Sequence, residues 1–181
     1  MPISERQASE ILGEAGLSRR HARRALGWGL AGAGVVTRSA VLYDEDAVRA
    51  LVRRPALTDE DLAEIFPTGV FVARLGETPE PGGLDLSAMS WDISVWARIR
   101  ISLWIGKGGA LPVLATVSGF VVDTAEATAV MSVPRGDRHR GLRQLSPSQL
   151  SLAESGAWSA AVAETRVPTG PGAAWRLWLP Q

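Results

Sequence analysis

The chain contains no cysteine, which excludes disulfides and thiolate metal sites. Two histidines, His21 and His139, are too few for a histidine-based metal cluster. Lysine is almost missing: of 19 basic residues only Lys107 is not arginine, a bias of coding composition that strips arginine abundance of functional weight on its own. No run approaches the roughly 18 uninterrupted apolar residues of a membrane span. The segment Met1-Pro2-Ile3-Ser4-Glu5-Arg6 has no apolar signal-peptide core. These absences lead to the expectation of a cytoplasmic protein without membrane contact. What is present is globular in character, with 46% hydrophobic and 21% charged residues among 181, enough for one large or two small domains.

Net charge is zero but unevenly spread. Residues 1–54 hold nine arginines against six acids, residues 55–84 one arginine against six acids, and residues 85–181 nine basic groups against seven acids. A basic head beside an acidic connector points to an anionic partner for the head.

The densest signal lies at Leu17-Ser18-Arg19-Arg20-His21-Ala22-Arg23-Arg24-Ala25-Leu26. Ser18 suits a helix N-cap, because its hydroxyl can accept from a free backbone N–H one turn on. Arg19, Arg20, Arg23 and Arg24 recur at i, i+1, i+4 and i+5, on one side of a short helix. Ala22, Ala25 and Leu26 fall on the other side. Upstream, Ser4 and Gln7 form a capping box that opens a helix through Ala8, Ile11 and Leu12. Downstream, 35–38 and 40–43 read as two short strands around a turn at Ser39. Asp44-Glu45-Asp46 then starts a helix that Pro55 stops, its acids favourable against the helix dipole.

Helix, turn, basic helix, hairpin and helix is the order of a winged helix-turn-helix. Residues 4–54 resemble the DNA-binding heads of excisionase-like and MerR-like regulators. The resemblance is carried by Gly16-Leu17-Ser18-Arg19-Arg20, by the hairpin ending in Leu42-Tyr43-Asp44, and by Ala47-Val48-Arg49-Ala50-Leu51. It implies a head that lays its second helix in the major groove, and it covers under a third of the chain. MerR-like proteins continue into a long dimerising helix, which this chain lacks. Glu14 to Arg20 also resembles the start of the small RNA-binding module shared by a ribosomal protein and pseudouridine synthases, a module that does not need the helix after Tyr43.

Beyond the head, 58–66 reads as a short capped acidic helix that packs Leu62, Ile65 and Phe66 inward, and 70–75 as a strand. Residues 92–105 alternate apolar and polar with period two, which predicts a long strand with Trp96, Arg98, Arg100 and Trp104 on one face. Residues 106–109 should turn the chain into a strand over 113–122, with Gly119 as a bulge. A turn at 124–126 and a third strand over 128–133 complete an antiparallel meander. Ser146-Pro147 predicts a helix to Glu154, 158–165 a second, and 175–179 a terminal strand. Glu77 to Gly83, Pro134 to Gln144 and Thr169 to Gly172 read as loops.

The predicted fold is α+β: a winged helix-turn-helix head at 1–55, an acidic connecting helix at 56–67, and an antiparallel sheet domain with a few helices at 68–181. The expected function is that of a bacterial DNA-binding protein, a transcriptional regulator. Ser18, Arg19, Arg20, Arg23 and Arg24 would contact phosphates and base edges of double-stranded DNA, and Arg38 would act from the hairpin. RNA in place of DNA, or a scaffold module that meets an acidic protein surface, are the alternatives. Trp96, Arg98, Arg100 and Trp104 read first as the outer face of a half-buried sheet, and otherwise as a ligand or partner face. The sheet domain is expected to sense a ligand or form a homodimer. Arg135, Arg138, His139, Arg140 and Arg143 form a charged loop or a second anion site. No nucleophile, base or cofactor motif is recognisable, and Gly106-Lys107-Gly108-Gly109 lacks the ending of a phosphate loop. The chain is therefore expected to be no enzyme and to carry no cofactor or metal.

Overall fold

The computed structural model describes residues 1–76, 84–107, 109–132, 145–167 and 174–179. It is a mixed α+β structure in which six helices and two sheets are found among the described residues. No helix among them is long and apolar enough to cross a membrane.

The N-terminal unit is built by short-range signals. Strand β1 (Pro2–Ser4) runs into helix α1 (Glu5–Glu14), capped by Ser4 with Gln7 reaching back as expected. Helix α2 (Arg19–Gly27) begins at Ser18, whose hydroxyl accepts from the His21 N–H. Strands β2 (Val35–Val36) and β3 (Val41–Asp44) form the hairpin, and Asp44 caps helix α3 (Glu45–Arg53). The order β1-β3-β2 makes a three-stranded antiparallel sheet. Strand β1 is a finding the sequence reading lacked: three residues are too few for a periodic signal. Ile3, Ala8, Leu12, Ala22, Ala25, Leu26, Val48 and Leu51 close the core between the helices.

Helix α4 (Asp59–Ile65) and strand β4 (Val70–Arg74) follow, as expected. Thr58 and Asp61 cap α4 reciprocally. The next segment corrects the sequence reading. The predicted strand over 92–105 is strand β5 (Trp91–Ser94) followed by helix α5 (Val95–Gly106). Ser94 caps α5 by accepting from the Ala97 N–H at 3.2 Å. Because α5 carries apolar residues on two opposite faces, its sequence imitates the alternation of a strand. Residues 106–109 therefore join a helix to a strand, not two strands; Gly108 lies outside the described residues.

Further corrections concern the strands. Strand β6 (Leu111–Val117) turns at Ser118-Gly119 into strand β7 (Phe120–Ser132), which continues through 124–126 without a break. Gly119 is the turn, at φ +92, and not a bulge. The predicted helix from Ser146 is strand β8 (Leu145–Ala153), paired on both sides. The predicted helix 158–165 shrinks to α6 (Ser159–Val162), and the terminal strand β9 (Trp175–Trp178) lies where it was expected. The sheet is also not wholly antiparallel, because β4 pairs with β6 in parallel. The predicted loops at 77–83, 134–144 and 169–172, with Arg135, Arg138, His139, Arg140 and Arg143, lie outside the described residues.

The six strands run in the order β5-β8-β7-β6-β4-β9. The sheet curls until its outer strands meet: the Trp175 indole N–H donates to the Asp92 carbonyl at 2.9 Å. Inside the resulting near-barrel lie Phe71, Ala73, Ile93, Val113, Ala115 and Leu150, with Ile101 of α5 packed among them. The alternate residues Val70, Val72 and Leu114 point outward and are covered by Leu62 and Phe66 of α4 and Val162 of α6. Strand β4 is thus buried on both faces, which accounts for its unbroken apolar run.

Candidate nucleic-acid interface

The turn between α1 and α2 is made possible by Gly16, which sits at φ +79. It delivers α2 with its small residues inward. Ala22 and Ala25 are fully buried and Leu26 nearly so. The opposite side carries the basic residues: Arg19, Arg20 and Arg23 are exposed, and Arg24 and His21 are half-buried. The hairpin presents Val35 at 65% and Val36 at 79% exposure. At its tip the Thr37 hydroxyl donates to the Ala40 carbonyl at 2.8 Å, and Arg38 is exposed.

Among the described residues the ion pairs are Arg6–Glu10, Arg23–Glu5 and Arg49–Glu45. None involves Arg19, Arg20, Arg24 or Arg38. Arg23 holds the Glu5 carboxylate at 3.0 Å, but both side chains are about half exposed. Such a pair is worth about 0.2–1 kcal/mol and yields readily to a stronger anion. Glu5 also acts on the interior: burial, and secondarily the Glu5 charge, push the Tyr43 hydroxyl above its usual titration range.

The second predicted group lies on helix α5, with Arg98 apart from the other three. On α5, Trp96 and Arg100 are exposed, whereas Trp104 is half-buried and packs against the sheet core. Arg98 turns toward β7, where its guanidinium donates to the Ser132 hydroxyl, and its Nε is buried without a partner. Helical spacing leaves Trp96, Arg100 and Trp104, at i, i+4 and i+8, on one side of α5, running from solvent toward the sheet, and puts Arg98 on the other side.

Sequence reasoning missed the joint that holds α2. The Ser118 hydroxyl, in the β6–β7 turn, donates to the His21 carbonyl in the first turn of α2 at 2.8 Å. Phe120, the first residue of β7, is fully buried in the core of the N-terminal unit. Its ring lies 6.0 Å from the Arg54 and 5.9 Å from the Arg166 guanidinium. Arg166 also donates to the carbonyls of Arg54 at 3.2 Å and Ala15 at 3.0 Å. None of these pairs is close in sequence, so no local pattern announces them. A groove of about 490 Å³ opens beside this joint, with Arg54, Asp123 and Glu164 among its lining residues. No group of three or more metal-ligating side chains gathers among the described residues.

No protein-family model matches the chain, and no curated protein or solved structure matches it.

Proposed function

We propose that the chain binds double-stranded DNA through α2, with the β2–β3 hairpin as a second contact, and acts as a bacterial transcriptional regulator. The observation that carries this reading is the set of arginines on α2 and the hairpin tip, Arg19, Arg20, Arg24 and Arg38, that no carboxylate of the described chain neutralises. Arginine donates in a planar fork that matches phosphate oxygens and the guanine edge in the major groove, a groove wide enough for one helix. Arg23 would exchange Glu5 for a phosphate. The small residues beneath α2 seat it firmly, and the Ser118 hydroxyl ties it to the sheet, so the helix meets DNA without first paying to become ordered.

Gel shift over a salt series, with a mixed-sequence duplex as probe, tests this. Arg19→Ala/Arg20→Ala removes two exposed side chains and should weaken binding at low salt. It should also flatten the slope of log K against log salt by about 0.9 for each lost phosphate contact. An unchanged affinity and an unchanged slope would overturn the proposal. Preferential displacement by an RNA duplex of the same sequence would move the reading to RNA.

A further inference from the structure

The groove beside the joint is walled by both units. Leu30 and Arg54 line it from the N-terminal unit, and β7 and the α6 segment line it from the sheet. Its volume, about 490 Å³, is that of a small-molecule site. Leu30, Val121, Val122, Ala160 and Ala163 give it an apolar wall. Three charged side chains stand around that wall: Arg54 at the end of α3, Asp123 on β7 and Glu164 just after α6. No ion pair among the described residues involves any of them.

Each sign is left uncompensated in its own way. Arg54 is half-buried, and its guanidinium lies against the Phe120 ring, as does that of Arg166. Arg166 donates to the carbonyls of Arg54 and Ala15, so two like charges share one ring and meet only neutral acceptors. An anionic group placed at Arg54 offsets that repulsion. Glu164 is held at φ +58, in the left-handed region that glycine and asparagine adopt more readily. Strain of this kind gathers at ligand clamps, and here it fixes the backbone that carries one of the two acids. The other acid, Asp123, is exposed, and its carboxylate accepts from the Thr124 N–H at 2.8 Å.

We infer that the groove binds a small zwitterion with an apolar body, of the amino-acid or dipeptide class. The ligand carboxylate meets Arg54, its ammonium meets Asp123 and Glu164, and its side chain lies on Leu30 and the two valines. Charge selects this class. A purely anionic ligand would face two acids, and a purely cationic one would leave the two arginines at Phe120 uncompensated. The site uses no residue of the DNA-binding proposal and does not rest on it.

Isothermal titration of the full-length protein at neutral pH tests this, with L-phenylalanine and leucyl-phenylalanine as zwitterionic probes. Phenethylamine and hydrocinnamate are the controls, each with the same ring and one of the two charges. At least one zwitterion should bind at millimolar concentration or below. Each control should bind about tenfold more weakly, the loss of one charged contact. Arg54→Met keeps an apolar stem on Phe120 and removes the guanidinium, and Asp123→Asn keeps an acceptor for the Thr124 N–H. Both should weaken the zwitterion about tenfold, and Arg54→Met should leave phenethylamine unaffected. Glu164→Asn should weaken the zwitterion while holding or raising the thermal midpoint, because asparagine suits the left-handed backbone. A residue that served the fold alone would lower that midpoint and leave binding intact. Controls that bind as tightly as the zwitterions would overturn the assigned class. No binding of either zwitterion at millimolar concentration, or unchanged affinity in all three variants, would overturn the proposal.

Discussion

The indole N–H of Trp175 donates to the backbone carbonyl of Asp92, joining the two outermost strands of the large sheet at 2.9 Å. The Trp175 ring also stacks on Phe71, with centroids 5.6 Å apart and planes 11° from parallel. The two contributions can be separated. Trp175→Phe keeps a ring on Phe71 and removes the donor, which should cost about 1 kcal/mol. Trp175→Ala removes both and should cost about 3 kcal/mol. Urea denaturation midpoints measure the difference. If both variants lose the same amount, the hydrogen bond and not the stack holds the barrel closed.

Phe120 belongs to the sheet by sequence and to the N-terminal core by packing. Phe120→Ala should destabilise the protein by about 3–5 kcal/mol, as for other fully buried aromatic residues. The loss should fall unequally. With the ring gone, Arg54 and Arg166 lose the surface they lie over, and the hold of the sheet on α1 and α2 weakens. Calorimetry should therefore show the single transition of the parent split in two, with the N-terminal unit melting first. A variant that melts lower but in one step would mean that the two units stay coupled without this residue.

The N-terminal elements were legible because their signals are local. Ser4 with Gln7, Ser18, Asp44, and Thr58 with Asp61 each cap a helix within three residues of themselves. The sheet was less legible for three physical reasons. Helix α5 has an inward face at Ile101 and Ile105 and an outward one at Trp96, Ile99 and Leu103, so no single apolar stripe betrays it. The cap at Ser94, with no glycine or proline until Gly106, was the available signal. Pro147, read as the first residue of a helix, lies in a strand opposite Asp92, a pairing with a distant residue that no local pattern announces. The parallel pairing of β4 with β6 and the insertion of Phe120 join residues far apart in sequence, and no short pattern encodes them.

Asp44 gives a prediction in pH. Its carboxylate accepts from the N–H groups of Asp46 at 2.7 Å and Ala47 at 3.2 Å. The Ala47 and Asp46 N–H groups hold it below its ordinary value of 3.8. Asp61 is lowered in the same way by the Thr58 N–H and hydroxyl. A carboxyl group that binds its proton less tightly in the folded than in the unfolded chain stabilises the fold above its unfolded value, and that contribution disappears as pH falls through the folded value. Chemical denaturation at stepped pH should show the parent losing stability between roughly pH 5 and pH 2. Asp44→Asn and Asp61→Asn should each lose less over that window and start lower at neutral pH. A parent curve with the same slope as both variants over that window would contradict the assignment.

Two glycines should respond to alanine with opposite sign. Gly69 precedes β4 at φ +112, a conformation that side-chain-bearing residues rarely adopt. A Cβ there would sit 2.5 Å from the Trp178 carbonyl oxygen and 2.9 Å from the Trp104 ring. The first is strand backbone and the second is a ring wedged on the core, so neither can give way cheaply. Gly69→Ala should cost about 3 kcal/mol or more, strain and overpacking together. It should also shift the tryptophan emission, because Trp104 must move. Gly13 lies near the end of α1, and a Cβ there meets nothing within 4 Å. Gly13→Ala should stabilise by about 0.5–1 kcal/mol, because the unfolded chain loses freedom that the helix does not use. Thermal midpoints measured side by side decide both, and a Gly69→Ala protein as stable as its parent would mean that the β4–β9 edge is loose enough to accept a methyl group.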